Sequence, residues 1–243
     1  IQAATGVTTL LPRADGNPRP RYLPSLIADK VAGLYGAQAI LAAIIHKLRT
    51  GEGQHVEVPM FEAFASFNMV EHMQDATFDP PLGKIGYHRQ MDPHRQPFPT
   101  ADGYISIAAG GDDKIIQLFE LLGDPDVVKK PELATPRDRF KNTEALYGEI
   151  ARLTPNRTTA ELMEILSANG FPAMPVCDLA EVFDDPHLVA TGFFRSREHP
   201  TEGRFREMRP PIRFSADAGR ELGFAPGLGD HSDDVRRELD DLE

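Results

Sequence analysis

The chain has 243 residues, 26% of them charged and 41% hydrophobic, with a formal net charge of -11. These are ordinary values for a globular protein, and the acidic balance excludes nucleic acid or an anionic membrane surface as an expected partner. The one cysteine, Cys177, excludes an internal disulfide and a multi-cysteine metal site; no apolar run reaches the length expected of a membrane span and no signal-like segment heads the chain, so a cytoplasmic location is the expectation.

Ile1 to Val7 reads as the inside of a packed element rather than a native start. Residues 11–25, with Pro12, Gly16, Pro18, Pro20 and Pro24, read as a loop. Its arginines, Arg13, Arg19 and Arg21, are either solvated charges or contacts to a phosphate. From Leu26 the sequence is helical, with Asp29 in the first turn and apolar residues on nearly every side through Ile45, the pattern of a buried helix. Gly33 and Gly36 inside it suggest close approach by another backbone, and His46-Lys47-Leu48-Arg49 suits the negative end of the helix dipole. Thr50 to Gly53 breaks the helix, Gln54 to Val58 alternates as a strand does, and a second helix starts near Pro59.

Asp75 to Pro99 is rich in Pro and Gly and reads as a linker. His88 and His94 in it have no metal-ligand spacing, so no metal is expected. Asp102-Gly103 is a hairpin signal before a strand at Tyr104 to Ala108. Asp112 to Lys114 then read as the cap of a helix over Ile115 to Leu122, stopped by Gly123. A further helix runs to about Arg152. Thr158 with Glu161 reads as a capping box for a helix that buries Leu162, Ile165 and Leu166. Phe171 to Val176 is extended, and Cys177 reads as a small buried residue. A short helix reaches Asp185-Pro186-His187, the stretch to Phe214 is expected to be extended, and Gly227 to Val235 reads as a glycine turn opening a helix, with His231 packing or capping.

Asp29-x-x-x-Gly33, the small-residue helix, and Arg49-Thr50-Gly51-Glu52-Gly53-Gln54-His55-Val56-Glu57-Val58-Pro59-Met60-Phe61-Glu62 together resemble the core signature of the class III CoA-transferases, the family of formyl-CoA and carnitine CoA-transferases (CaiB/BaiF type). Weaker similarity continues through Asp185-Pro186-His187-Leu188 to Gly229-Asp230-His231-Ser232. The resemblance implies an α/β fold: residues 1–80 as the C-terminal part of a Rossmann-type large domain, 81–94 as linker, 95–185 as a small α+β domain, and 186–243 as a return linker with a terminal helix. It implies Asp29 as the nucleophile that carries CoA as an aspartyl thioester, with Gly86 and His88 as candidate substrate or lid residues. It implies acyl-CoA and small carboxylic acids as substrates, no permanently bound cofactor, and an interlocked homodimer. It also implies that most contacts to the CoA nucleotide lie in a part preceding Ile1, so the chain is expected to be a fragment or half of a split enzyme. Two alternatives stay open: a 2-methylacyl-CoA racemase, whose relatives carry a glutamate near the position where Asp112 stands here, and a non-catalytic fragment or subunit.

Overall fold

The computed structural model describes residues 1–216 and 223–241. In chain order the helices are α1 (Leu10–Asp15), α2 (Ile27–Thr50), α3 (Met60–Met69), α4 (Asp112–Leu122), α5 (Pro136–Lys141), α6 (Thr143–Leu153), α7 (Thr159–Ala168), α8 (Pro186–Ala190) and α9 (Ser232–Asp240). The strands are β1 (Phe98–Pro99), β2 (Tyr104–Ile107), β3 (Ala173–Pro175), β4 (Phe194–His199) and β5 (Gly203–Met208). Helix and sheet are thus mixed, and the strands pair antiparallel in the orders β1-β2-β3 and β4-β5. The chain divides into two compact units, Ile1–Val176 and Cys177–Glu243.

The first unit holds two apolar cores. The larger gathers Phe98 and Ile105 from the sheet, Leu118 and Phe119 from α4, Ile150 from α6, and Leu162 and Leu166 from α7. Local signals set its frame. The Asp102-Gly103 turn joins β1 to β2, with Pro99 opposite Tyr104. Thr158 caps α7 through the amide of Glu161, whose carboxylate returns to the Thr158 amide, completing the capping box. Asp102 reinforces that helix start by accepting bonds from the amide and the hydroxyl of Thr159, both at 2.8 Å.

Those bonds, the amide of Thr159 first and its hydroxyl second, hold the Asp102 carboxyl below its ordinary pKa against a small opposing burial effect. The unfolded chain therefore takes up the proton first as pH falls. The stabilisation is fully present above the unfolded value of about 3.9 and is lost as pH drops through the lower folded value. Urea midpoints measured from pH 5 to pH 2 are expected to fall less steeply in Asp102→Asn than in the wild type.

Asp112 does not cap α4. Gly111 is the N-cap and makes no side-chain bond there. The Asp112 carboxylate is drawn instead to Arg139 of α5, which meets it with two parallel bonds of 2.7 and 2.6 Å. The same guanidinium donates to the Leu133 carbonyl at 2.5 Å, and Asn142 donates to the carbonyl of Glu132 at 2.8 Å. Arg139, Asn142 and the buried Leu146 thus fasten α5 and α6 to the loop before them and to α4.

The smaller core comprises Val7, Ala28, Val31 and Phe64. Helix α2 departs from the expectation of a buried helix. Only Ala28 and Val31 are buried, while Leu34 is 65% and Leu48 80% exposed. An apolar face is buried only where something packs on it, and among the described residues Val7 and Phe64 of α3 pack on the start of α2 while most of its length stays uncovered. A Cβ built at Gly33 or Gly36 meets nothing within 4 Å, so the close approach those glycines permit is not made among the described residues. By length and composition α2 also meets the criterion for a membrane span, which corrects the expectation that no run does. Core helices of globular proteins meet it too, and Gly33, Gly36 and Gln38 interrupt the apolar surface.

Three further expectations are corrected. Gln54 to Val58 forms no strand among the described residues, because an alternating pattern supplies no neighbouring edge to pair with. The stretch after α8 is not a plain linker: β4 and β5 form a hairpin in register from Phe194 opposite Met208 to His199 opposite Gly203. Glu207 binds Arg195 directly across the ladder and Arg197 at 3.1 Å. Cys177 is exposed rather than buried.

Candidate active site

Asp29 lies in the first turn of α2, where a carboxylate is favoured by the free N–H groups and the dipole of the helix end. It is not the cap; that position is Leu26, which has no side-chain acceptor. The Asp29 side chain is exposed and makes no hydrogen bond or ion pair among the described residues. A carboxylate in that state keeps its lone pairs for a reacting carbon, and the helix end beside it favours negative charge on an adjacent oxygen.

The N-terminal segment places this helix end. The Gln2 amide donates to the carbonyls of Leu23 at 3.1 Å and Ser25 at 2.9 Å, and its oxygen accepts from the Leu23 amide at 2.9 Å. One side chain thus fixes the segment that enters α2. Asn68 of α3 donates to the Thr5 carbonyl at 3.0 Å, and Val7 and Phe64 pack on Ala28 and Val31. Sequence reasoning overlooked Gln2; a glutamine beside an isoleucine in a segment with no charges was the available signal.

Of the loop arginines, Arg21 is paired with Asp15, while Arg13 and Arg19 are exposed and have no carboxylate partner among the described residues. The terminal candidate His231 is the N-cap residue of α9 but gives no side-chain cap; it is exposed, with Nδ1 3.8 Å from Asp234.

Gly86 and His88 sit among other residues and are not brought to Asp29. His72 is buried; its carbonyl accepts the Gly86 amide at 2.7 Å and its Nδ1 accepts the Tyr87 amide at 3.1 Å. Gly86 has φ 116°, and a Cβ there would run into the Met91 methyl. The His88 ring meets Phe140 edge-on, with centroids 5.2 Å apart. Neither residue bonds to Asp29 in any described contact. Gly86→Ala is expected to destabilise the protein by about 1–3 kcal/mol, chiefly because of the positive φ, since the Met91 methyl is the end of a flexible side chain and can move aside. Shortening Met91 should restore only part of the loss, which a denaturant titration of Gly86→Ala and Gly86→Ala/Met91→Ala checks.

Comparison with known proteins places this arrangement. The chain is 28% identical over 244 residues to a succinate–glutarate CoA-transferase of Agrobacterium fabrum, covering 100% of this chain and 60% of that protein. It is 29% identical over 236 residues to a succinyl-CoA:mesaconate CoA-transferase of Haloarcula marismortui, covering 96% and 58%. Among solved structures it resembles Rv3272 of Mycobacterium tuberculosis, with a TM-score of 0.77 and 26% identity over 95% of this chain and 61% of that one. It also resembles a CAIB/BAIF family protein of Brucella suis, with a TM-score of 0.72 and 28% identity over 98% and 61%. The chain therefore spans about 60% of the length of the curated relatives it matches. The family model for CoA-transferase family III matches residues 1–232, and the chain belongs to that family.

Proposed function

We propose that the complete protein transfers CoA between an acyl-CoA thioester and a free carboxylic acid, with Asp29 as the nucleophile. The observation that carries this reading is the exposed, unpartnered carboxylate in the first turn of α2, in a chain of this family. Attack of Asp29 on the donor thioester carbonyl forms a C–O bond and expels CoA thiolate, leaving a mixed anhydride. The thiolate then attacks the aspartyl carbonyl, releasing the donor acid and leaving an aspartyl-CoA thioester. The acceptor carboxylate enters and the two steps run in reverse. Each acyl transfer replaces one difficult exchange with accessible ones. CoA is a substrate throughout, and no resident cofactor takes part in these steps.

The relatives' names support dicarboxylic acids or their CoA esters as the substrate class. In this reading residues 1–80 contribute to a Rossmann-type large domain, 95–185 form the small domain, and the protein is an interlocked homodimer. The uncovered apolar faces of α2, including Leu34, Ile40, Leu41 and Ile45, support burial against further polypeptide in that assembly. A dimer mass is expected in light scattering of the complete protein at micromolar concentration, and a monomer would contradict the assembly.

The test of the activity is a matrix of acyl-CoA donors against carboxylate acceptors, run in deuterated water and read by mass spectrometry. New acyl-CoA products without deuterium at the α-carbon are expected. Deuterium incorporation with no CoA exchange would replace the reading by a racemase; pairing of Asp112 with Arg139 disfavours that chemistry, since it commits the local carboxylate to structure.

A further inference from the structure

The tripeptide His-Arg-Gln occurs twice within nine residues, at 88–90 and again at 94–96. Both Arg-Gln pairs, Arg89-Gln90 and Arg95-Gln96, line one cavity of about 350 Å³ in the first unit. Ser106 of β2 and Tyr147 of α6 also line it. Its floor is apolar, made by Phe98, Ile107, Leu118 and Ile150.

Neither Arg89 nor Arg95 forms an ion pair with a carboxylate among the described residues. Arg13, Arg19 and Arg157 likewise have no carboxylate partner among the described residues, whereas Arg21, Arg139, Arg152, Arg195, Arg197, Arg236 and Arg237 do; what sets Arg89 and Arg95 apart is that they line the same cavity. Arg89 is half-buried over the Phe140 ring, 6.0 Å from its centroid. Tyr147 leads the interactions that favour its charged form, with desolvation opposing. Two forked cations beside two Gln residues and apolar lining from Phe98, Ile107, Leu118 and Ile150 make a site for a planar oxyanion attached to a short apolar body.

We infer that this cavity binds the carboxylate end of a short-chain organic acid, with Arg89 and Arg95 as its specificity-determining cations. The inference rests on the transferase reading for the identity of its occupant, the free acid substrate, but not for the binding itself. A bare phosphate, free or on CoA, would satisfy the cations and leave the floor unused. An acid with an apolar chain satisfies both.

The test is calorimetric binding of glutarate, pentanoate and inorganic phosphate to the complete protein. Wild type is expected to bind glutarate and pentanoate and to bind phosphate at least tenfold more weakly. Arg95→Gln, at the exposed rim, and Arg89→Gln are each expected to raise the glutarate Kd about tenfold or more, with Arg89→Lys in between because an ammonium lacks the fork. In turnover the acceptor KM should rise by a similar factor while kcat at saturating acceptor changes less than about threefold. An unchanged glutarate Kd in folded Arg95→Gln, absent acid binding by wild type, or phosphate binding as tightly as glutarate overturns the assignment. Acid binding lost in the variants of a protein that exchanges no CoA would leave the cavity assignment standing and remove the transferase reading. CoA exchange with acid binding indifferent to both arginines would do the reverse.

Discussion

Asp29→Asn in the complete protein is expected to lower CoA transfer by about a thousandfold or more with the fold intact. An amide nitrogen has no lone pair free to attack a thioester, and its oxygen is a poor nucleophile, so the first acyl transfer is blocked. Among the described residues the side chain has no hydrogen-bond or ion-pair partner to lose, and Asp29 is not the N-cap residue of α2, so only the favourable placement of a charge at the helix end disappears. That costs about 0.3–1 kcal/mol. A large fall in kcat beside an almost unmoved unfolding midpoint separates a nucleophile from a structural acid. Mass spectrometry of the variant must show no deamidation, because a trace of regenerated aspartate would restore measurable turnover.

The largest stability effect is expected at Arg139. This guanidinium is 4% exposed and faces a carboxylate that is 33% exposed. Arg139→Ala strips Asp112 of its partner and leaves the Leu133 carbonyl without its donor. Removing one member of a buried pair costs about 3–5 kcal/mol, and the partial exposure of Asp112 puts the expected loss at the lower end. Arg152→Ala is the control. Arg152 also holds two acids, Asp124 and Glu149, but is 50% exposed, and an exposed pair contributes about 0–1 kcal/mol. Guanidinium titrations of the two variants should therefore differ by several-fold in their loss. Equal losses would mean that Arg139 is not a clamp.

What could be read from sequence was what is decided locally. Asp102-Gly103 and the Thr158–Glu161 box involve residues a few positions apart, and both formed. Asp29 could be placed in a helix's first turn because the apolar pattern begins beside it. The Arg139–Asp112 pair spans 27 positions and leaves no local pattern, so Asp112 read as a cap. The stretch that forms β4 and β5 reads as extended, but its pairing into a hairpin was hidden because Pro200 and Gly203 mark a turn without showing which residues meet across it. Burial of α2 depends on what lies against it, and apolar character all round states a need for cover without supplying it. The cavity between the two Arg-Gln pairs needed the sheet and α6 to be in place. The repeat was visible in sequence, but its convergence was not.

The measurement that tests the central claim most directly is the mapping of the covalent intermediate. Complete protein is incubated with an acyl-CoA donor alone, quenched with hydroxylamine or borohydride, and digested for peptide mass spectrometry. Hydroxamate or reduced alcohol is expected on Asp29 and on no other carboxylate, and none is expected in Asp29→Asn. An adduct on a different residue, or undiminished CoA transfer by the Asn variant, would contradict the account and leave Asp29 as nothing more than an acid at a helix end.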